Sequence, residues 1–394
     1  MASKKIKIQY GIVVALAVCA VAIATTKPSP PRRNVQSESD QFSGFRPRKE
    51  IKDVRFVGNV VCANCHNSIS KSQQATAMGK ALEFPSNCRI LDSNKELRFQ
   101  SGPYQYRIER RKDQSIYSVT NGGETFSEPI LFCFGQGKAG QTYVFKHDGS
   151  FYESRLSYYI DIAGLDYTIG YAREAPPTIV EAAGRAISAD EAQNCFSCHS
   201  TGAVRNNLLN LDHLRPGVGC EACHGPGEKH VLEMKSQKPD STFILNPAKL
   251  DTDEFAQEFC GACHRSVEDV SRMPQLGGGI NNVRFQPYRL FNSPGHNPTD
   301  DRLRCSTCHE VHKDLKHDSA YYDARCFACH QSGKAASGAS IDTVATSGQT
   351  AKACPKASKD CVSCHMPQFE IPGSHFRFTD HRIRIVRPGD KYPT

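Results

Sequence analysis

The sequence lacks an apolar run of the ~20 residues that a membrane-spanning helix requires. Its start holds something shorter. After the basic opening MASKKIKIQYG comes the 13-residue run IVVALAVCAVAIA, closing on the small-x-small triplet Ala22-Ile23-Ala24. This layout reads as an export signal over residues 1–24, with an uncleaved membrane anchor over 11–24 as the alternative. In both cases the body of the chain is expected to be exported, to the periplasm or the outer face of the cytoplasmic membrane. Methionine is scarce, 5 in 394 residues, so thioether ligands for a metal are few. An excess of acid is absent as well: 49 Lys and Arg stand against 41 Asp and Glu, a formal charge of +8. Such a charge alone would suggest an anionic partner such as nucleic acid.

Cysteine, by contrast, is abundant, with 18 in the chain. Fourteen of them fall into seven copies of Cys-x-x-Cys-His: CANCH (Cys62, Cys65), CFSCH (Cys195, Cys198), CEACH (Cys220, Cys223), CGACH (Cys260, Cys263), CSTCH (Cys305, Cys308), CFACH (Cys326, Cys329) and CVSCH (Cys361, Cys364). Shuffling the composition would give about 0.03 copies. On a helix, cysteines at i and i+3 and a histidine at i+4 share one face, so two thioethers can fix a porphyrin edge while the imidazole reaches its iron. A lone Cys-x-x-Cys is ordinarily a zinc site or a redox disulfide. Zinc sites would group the cysteines in fours and would not require the adjacent histidine every time. The spacing therefore predicts seven covalently bound c-type haems, with His66, His199, His224, His264, His309, His330 and His365 as proximal iron ligands. Seven pairs of propionates would bring the loaded, processed protein to roughly −2 to −9, which removes the case for nucleic acid.

Two motifs follow plausible helix starts. Ser188-Ala189-Asp190-Glu191 has the capping-box pattern before Cys195, and Asp251-Thr252-Asp253-Glu254 offers a similar start before Cys260. Residues 25–55 are rich in Pro, Ser and Arg and read as a linker, followed by a first-haem segment over 56–96. From about Leu97 to Thr168 the pattern becomes alternating (YQYRIE, SIYSVT, TYVF, FYESRLSYY), with Asp148-Gly149 as a hairpin turn. A small inserted β-rich module is thus expected over 97–175, and a six-haem domain over 176–394. Six motifs share the 171 residues from Cys195 to His365, too little protein for an ordinary core around each. The expected fold is a multihaem cytochrome c: mostly short helices and irregular loops wrapped round a haem array.

Distal ligands are in limited supply. Met78, twelve residues after His66, is the only local candidate for the first haem, and methionine there would raise its potential. His230 and His312 follow their own proximal histidines too closely to cross the same ring, so each is expected to serve a neighbouring haem. His375, His381 and His296 complete the candidates; His213 is left open. His147 and His317, in polar turn-like sequence, are expected to face solvent. Of the cysteines outside the motifs, Cys88 and Cys133 could pair across the β-module, leaving Cys354 odd.

The segments CEACHGPGEKH, RFQPYRL before the CxxCHxxH stretch, and CVSCHMP with FTDHRIRI together resemble the exported multihaem cytochromes c related to the tetrahaem cytochrome of ammonia-oxidising bacteria. The resemblance covers about residues 56–385 and implies that His230 and His381 are distal ligands; Met78 stands where many relatives carry histidine. Those relatives include carriers and reductases. The expected function is electron transfer between redox partners, a membrane quinol-linked donor and an exported acceptor. The alternative is a reductase or oxidase of a small nitrogen or sulfur oxyanion, with one haem open on its distal side.

Overall fold

The computed structural model describes residues 42–393, apart from 238, 240, 274–277, 299, 301, 331–353, 355, 356 and 388. The expected export segment lies outside the described residues. Among those described, no helix is long and apolar enough to cross a membrane.

The alternating stretch folds into a sheet larger than its periodicity suggests, with nine antiparallel strands. β1 (Leu82–Glu83) is followed by β2 (Glu96–Ser101), β3 (Tyr104–Arg111), β4 (Gln114–Thr120), β5 (Thr125–Phe134), β6 (Gln141–His147), β7 (Ser150–Tyr159), β8 (Gly164–Tyr167) and β9 (Gly184–Ala186). Strands β2 to β8 are consecutive neighbours, while β1 pairs with β5 and β9 with β7. The period-2 pattern does what it predicts. Tyr104, Tyr106 and Ile108 of β3 and Tyr117 and Val119 of β4 all point into one core, where each is at most 4% exposed. The sheet curls nearly shut, bringing the Tyr167 hydroxyl of β8 onto Ser101 of β2. A short helix, Ile179–Ala183, plugs the same core through Ile179, Ala182 and Ala183, and its last carbonyl accepts the Tyr117 hydroxyl at 2.9 Å.

The Asp148-Gly149 turn joins β6 to β7 as the sequence predicts. Both residues have positive φ (48° and 80°), the combination that matches strand twist in a two-residue hairpin. His147 departs from expectation. It ends β6 half-buried rather than facing solvent, its ring 4.8 Å from Phe126 and its Nδ1 2.9 Å from Glu128. Cys88 and Cys133 are both fully buried and neighbour each other in the barrel core as free thiols, Cys88 donating to the Gln141 side-chain oxygen at 3.2 Å, so the expected disulfide is not formed; Cys354 is exposed.

The rest of the chain is short helices and loops. Residues 42–55, expected as the end of a linker, are packed instead. Phe42, Phe45, Ile51 and Val54 are buried against Leu245, Leu250, Phe255 and Phe259. The four apolar side chains in this stretch are enough to anchor it.

Candidate functional site

Each motif begins on a helical turn. The helices are Asn59–Gln74, Ala189–His199, Cys220–His224, Gly261–His264, Cys305–Cys308, Ser319–His330 and Cys361–His365. The capping box at Ser188 forms as predicted: Glu191 N–H donates to its hydroxyl at 3.2 Å, and Ser188 N–H donates to the Glu191 carboxylate at 2.9 Å. Asp251 likewise accepts from Glu254 N–H at 2.8 Å, but residues Glu254–Cys260 then widen into a π-helix before the fourth motif. Five of the helices end on the motif histidine itself. Gly225 (φ 83°) and Arg265 (φ 69°) leave helical space immediately after His224 and His264, so these rings project from helix ends.

Three of these histidines have Nδ1 tied to a backbone carbonyl: His199 to Ala81 at 3.1 Å, His224 to Leu245 at 2.9 Å and His365 to Arg384 at 3.0 Å. A carbonyl can only accept, so Nδ1 carries the proton and the Nε2 lone pair is left for a metal. This is the usual outer-shell arrangement of an iron-binding imidazole. His381 is held in the same way by Thr379 at 3.0 Å. Burial first, and the neighbouring His309 second, push His381 down to about 4, keeping it in the neutral form that ligates metals.

Two pairs of imidazoles face each other at an informative distance. The ring centres of His224 and His312 are 6.0 Å apart with planes within 7°, and those of His309 and His381 are 6.2 Å apart. With metal–imidazole bonds of about 2 Å, two axial ligands of one iron have ring centres roughly 6 Å apart. His230 is pushed down by burial, then by His66 and His224, which lie within its electrostatic reach, and its Nδ1 is buried with no hydrogen-bond partner among the described residues. Met78 sits in the turn beyond the first helix, its carbonyl accepting from Ala81 and Val218 N–H groups and its side chain 37% exposed. His296 is half-buried 5.1 Å from Phe291. His375 Nε2 is engaged at 2.8 Å by Asp166, which also takes Arg173 at 3.0 Å. His213 and His317 are exposed, the latter as expected.

The motifs also meet one another through their cysteines. Cys62 of the first lies against Cys220 of the third, whose thiol it pulls down to about 7. Cys198 of the second, held at about 6 chiefly by Cys263, abuts the fourth. Cys223, Cys260 and Cys305 share one apolar cluster, the Cys308 thiol is raised by burial first and by nearby Cys326 second, and Cys326 adjoins Cys361. The seven motifs thus form one connected chain in space. The first, isolated in sequence, joins it beside the third.

The residues fit covalent haem: paired cysteines on a helical turn, a neutral imidazole with a free Nε2, and opposed second imidazoles. Comparison with known proteins bears on the same chemistry. Residues 173–225 match the family model of cytochrome c554 and c-prime. This stretch holds the second and third motifs. The chain is 30% identical over 88 residues to cytochrome c-554 of Nitrosomonas europaea, covering 19% of this chain and 36% of that protein. It therefore spans little more than a third of that relative's length. A solved structure, the outer cell wall cytochrome OcwA, aligns at a TM-score of 0.29 and 16% identity over 53% of this chain and 37% of that one, too loosely for its fold to inform this one. The family and sequence matches support a c-type cytochrome with covalently bound haem iron.

Two buried polar networks behind these sites carry no signature in the sequence. Glu221, inside the third motif, is 1% exposed and accepts three backbone N–H groups. Arg289, of the RFQPYRL segment, makes a two-pronged ion pair with Asp380, of the FTDHRIRI segment, at 2.8 and 2.9 Å, with both side chains at most 2% exposed.

Proposed function

We propose that this chain is an exported seven-haem c-type cytochrome that passes electrons between other redox proteins, a membrane quinol-linked donor and an exported acceptor. The observation that carries the reading is the unbroken succession of motif cysteines, from Cys198 and Cys62 through the Cys223, Cys260 and Cys305 cluster to Cys361. Groups attached there would sit as neighbours along one path. When bound, haem iron supplies one-electron chemistry by alternating between ferric and ferrous states. The chain's own residues hold and tune it. His66 and His230 would serve the first site, His224 and His312 the third, and His309 and His381 the fifth, with His199, His264, His330 and His365 proximal at the others. On this reading His230, from the helix Glu228–Met234 and within electrostatic reach of His66, takes the place of Met78 at the first site. Carbonyls at Ala81, Leu245 and Arg384 fix tautomers and raise the electron donation of three imidazoles.

One observation favours the second reading, a reductase or oxidase of a small nitrogen or sulfur oxyanion. The Nε2 of His375 is occupied by Asp166, which removes one distal candidate and leaves room for an open site. The spin state of the purified ferric protein separates the two. A carrier is wholly low-spin; a stoichiometric high-spin component accompanied by nitrite or hydroxylamine turnover would establish the enzyme instead.

A further inference from the structure

We propose that Glu221 is a positioning and redox-tuning residue shared by the first and third haem sites; the inference rests on the function proposed above. Glu221 occupies the first variable position of the third motif, and its carboxylate lies in a buried crossing of three segments. One oxygen accepts Val57 N–H at 2.7 Å and Gly227 N–H at 2.8 Å, and the other accepts Gly58 N–H at 2.7 Å. Gly58 is the N-cap of the helix Asn59–Gln74 that carries Cys62, Cys65 and His66. Gly227 is the N-cap of the helix Glu228–Met234 that carries His230. A single carboxylate therefore fixes the start of the helix on the proximal side of the first site and the start of the helix on its distal side.

The clamp is reciprocal. Asn59, first residue of the first-site helix, accepts Cys220 N–H at 3.0 Å, capping the third motif in return. The fit is close: a Cβ on Gly227 would lie 3.0 Å from the Val57 side chain, and one on Gly219 would lie 2.5 Å from the Asn59 oxygen. Arg55 and Glu228, on the rim, join the same segments at 2.8 Å, but this pair is largely exposed and contributes little.

The charge matters as well as the geometry. A buried carboxylate is expensive unless fully hydrogen-bonded, and an amide in its place would accept at one oxygen only. Glu221 adjoins Cys220, the attachment point of the third haem, and its carboxylate holds Gly58, the N-cap of the helix that carries Cys62 of the first. An anion beside an iron centre favours the ferric state, so Glu221 holds both potentials down.

The test uses the full haem-loaded protein in three forms: wild type, Glu221→Gln and Glu221→Asp. Haem mass is measured first, then the redox titration and the low-spin ferric signals. E221Q is expected to keep seven haems, to shift two of the seven redox components to higher potential, and to alter one low-spin signature. E221D keeps the charge but shortens the reach; it should leave the potentials near wild type while disturbing the first-site signature. Seven haems in E221Q with an unchanged titration and unchanged spectra would overturn the role of Glu221 and leave the function intact. A wild type without tetrapyrrole would overturn both. If E221Q yields no loaded protein, E221D decides: an altered signature at one haem supports the inference, and an unaltered one ends it.

Discussion

Arg289→Ala is expected to cost the haem-loaded protein about 3 kcal/mol or more of stability, read as a lower denaturant midpoint. The estimate follows from what the substitution leaves behind. Asp380 is fully buried and takes both prongs of the guanidinium, while Arg289 also reaches Asn282 at 3.2 Å and lies 4.7 Å from the Tyr392 ring. Removing one partner of a buried pair costs about 3–5 kcal/mol because the other charge stays in place. Arg384, 2.6 Å from Asp380, softens the loss and sets the value at the lower end. Arg289→Lys keeps the charge but not the fork, so an intermediate loss is expected. The effect should also reach two of the proposed haem sites. His381, next to Asp380, faces His309, and the carbonyl of Arg384 holds His365. A loss below about 1 kcal/mol would show that the pair does not anchor this segment.

The second large effect is spectroscopic. On the proposed seven-haem reading, His312→Ala should leave every haem attached, since the cysteines are untouched, and convert one ferric haem from low to high spin. The reason is the 6.0 Å spacing and near-parallel planes of His224 and His312. His230→Ala should do the same at the first site, whereas Met78→Leu should leave that signal unchanged. If Met78→Leu produces the high-spin haem and His230→Ala does not, the original sequence expectation stands and the structural pairing falls.

What the sequence revealed and what it hid divide by distance along the chain. The Cys-x-x-Cys-His sites are local, fixed by one turn of helix, and so legible. The Ser188 capping box and the Asp148-Gly149 hairpin are equally local, and the alternation in YQYRIE and SIYSVT exposed the middle of the sheet. Its two-residue and three-residue strands β1 and β9 are too short to carry a period, and they were missed. The proposed iron pairings fall in the same class as these. Nearness in sequence points to Met78 at the first site, whereas the proposed pairing takes His230, which the fold brings from far along the chain into electrostatic reach of His66. The resemblance to multihaem cytochromes points to His230 and His381, the same two histidines that the proposed pairings use. It could not show why RFQPYRL and FTDHRIRI occur together, which the Arg289–Asp380 pair now explains in physical terms. Glu221 was invisible because a variable position inside a motif gives no sign that its side chain serves two other segments.

The most direct test of the account is a mass measurement on the exported protein under denaturing conditions. The account predicts the processed polypeptide plus seven covalently attached haems, and loss of one haem for each motif whose two cysteines are replaced by serine. Polypeptide mass without tetrapyrrole, or zinc released from the cysteines on denaturation, would contradict it.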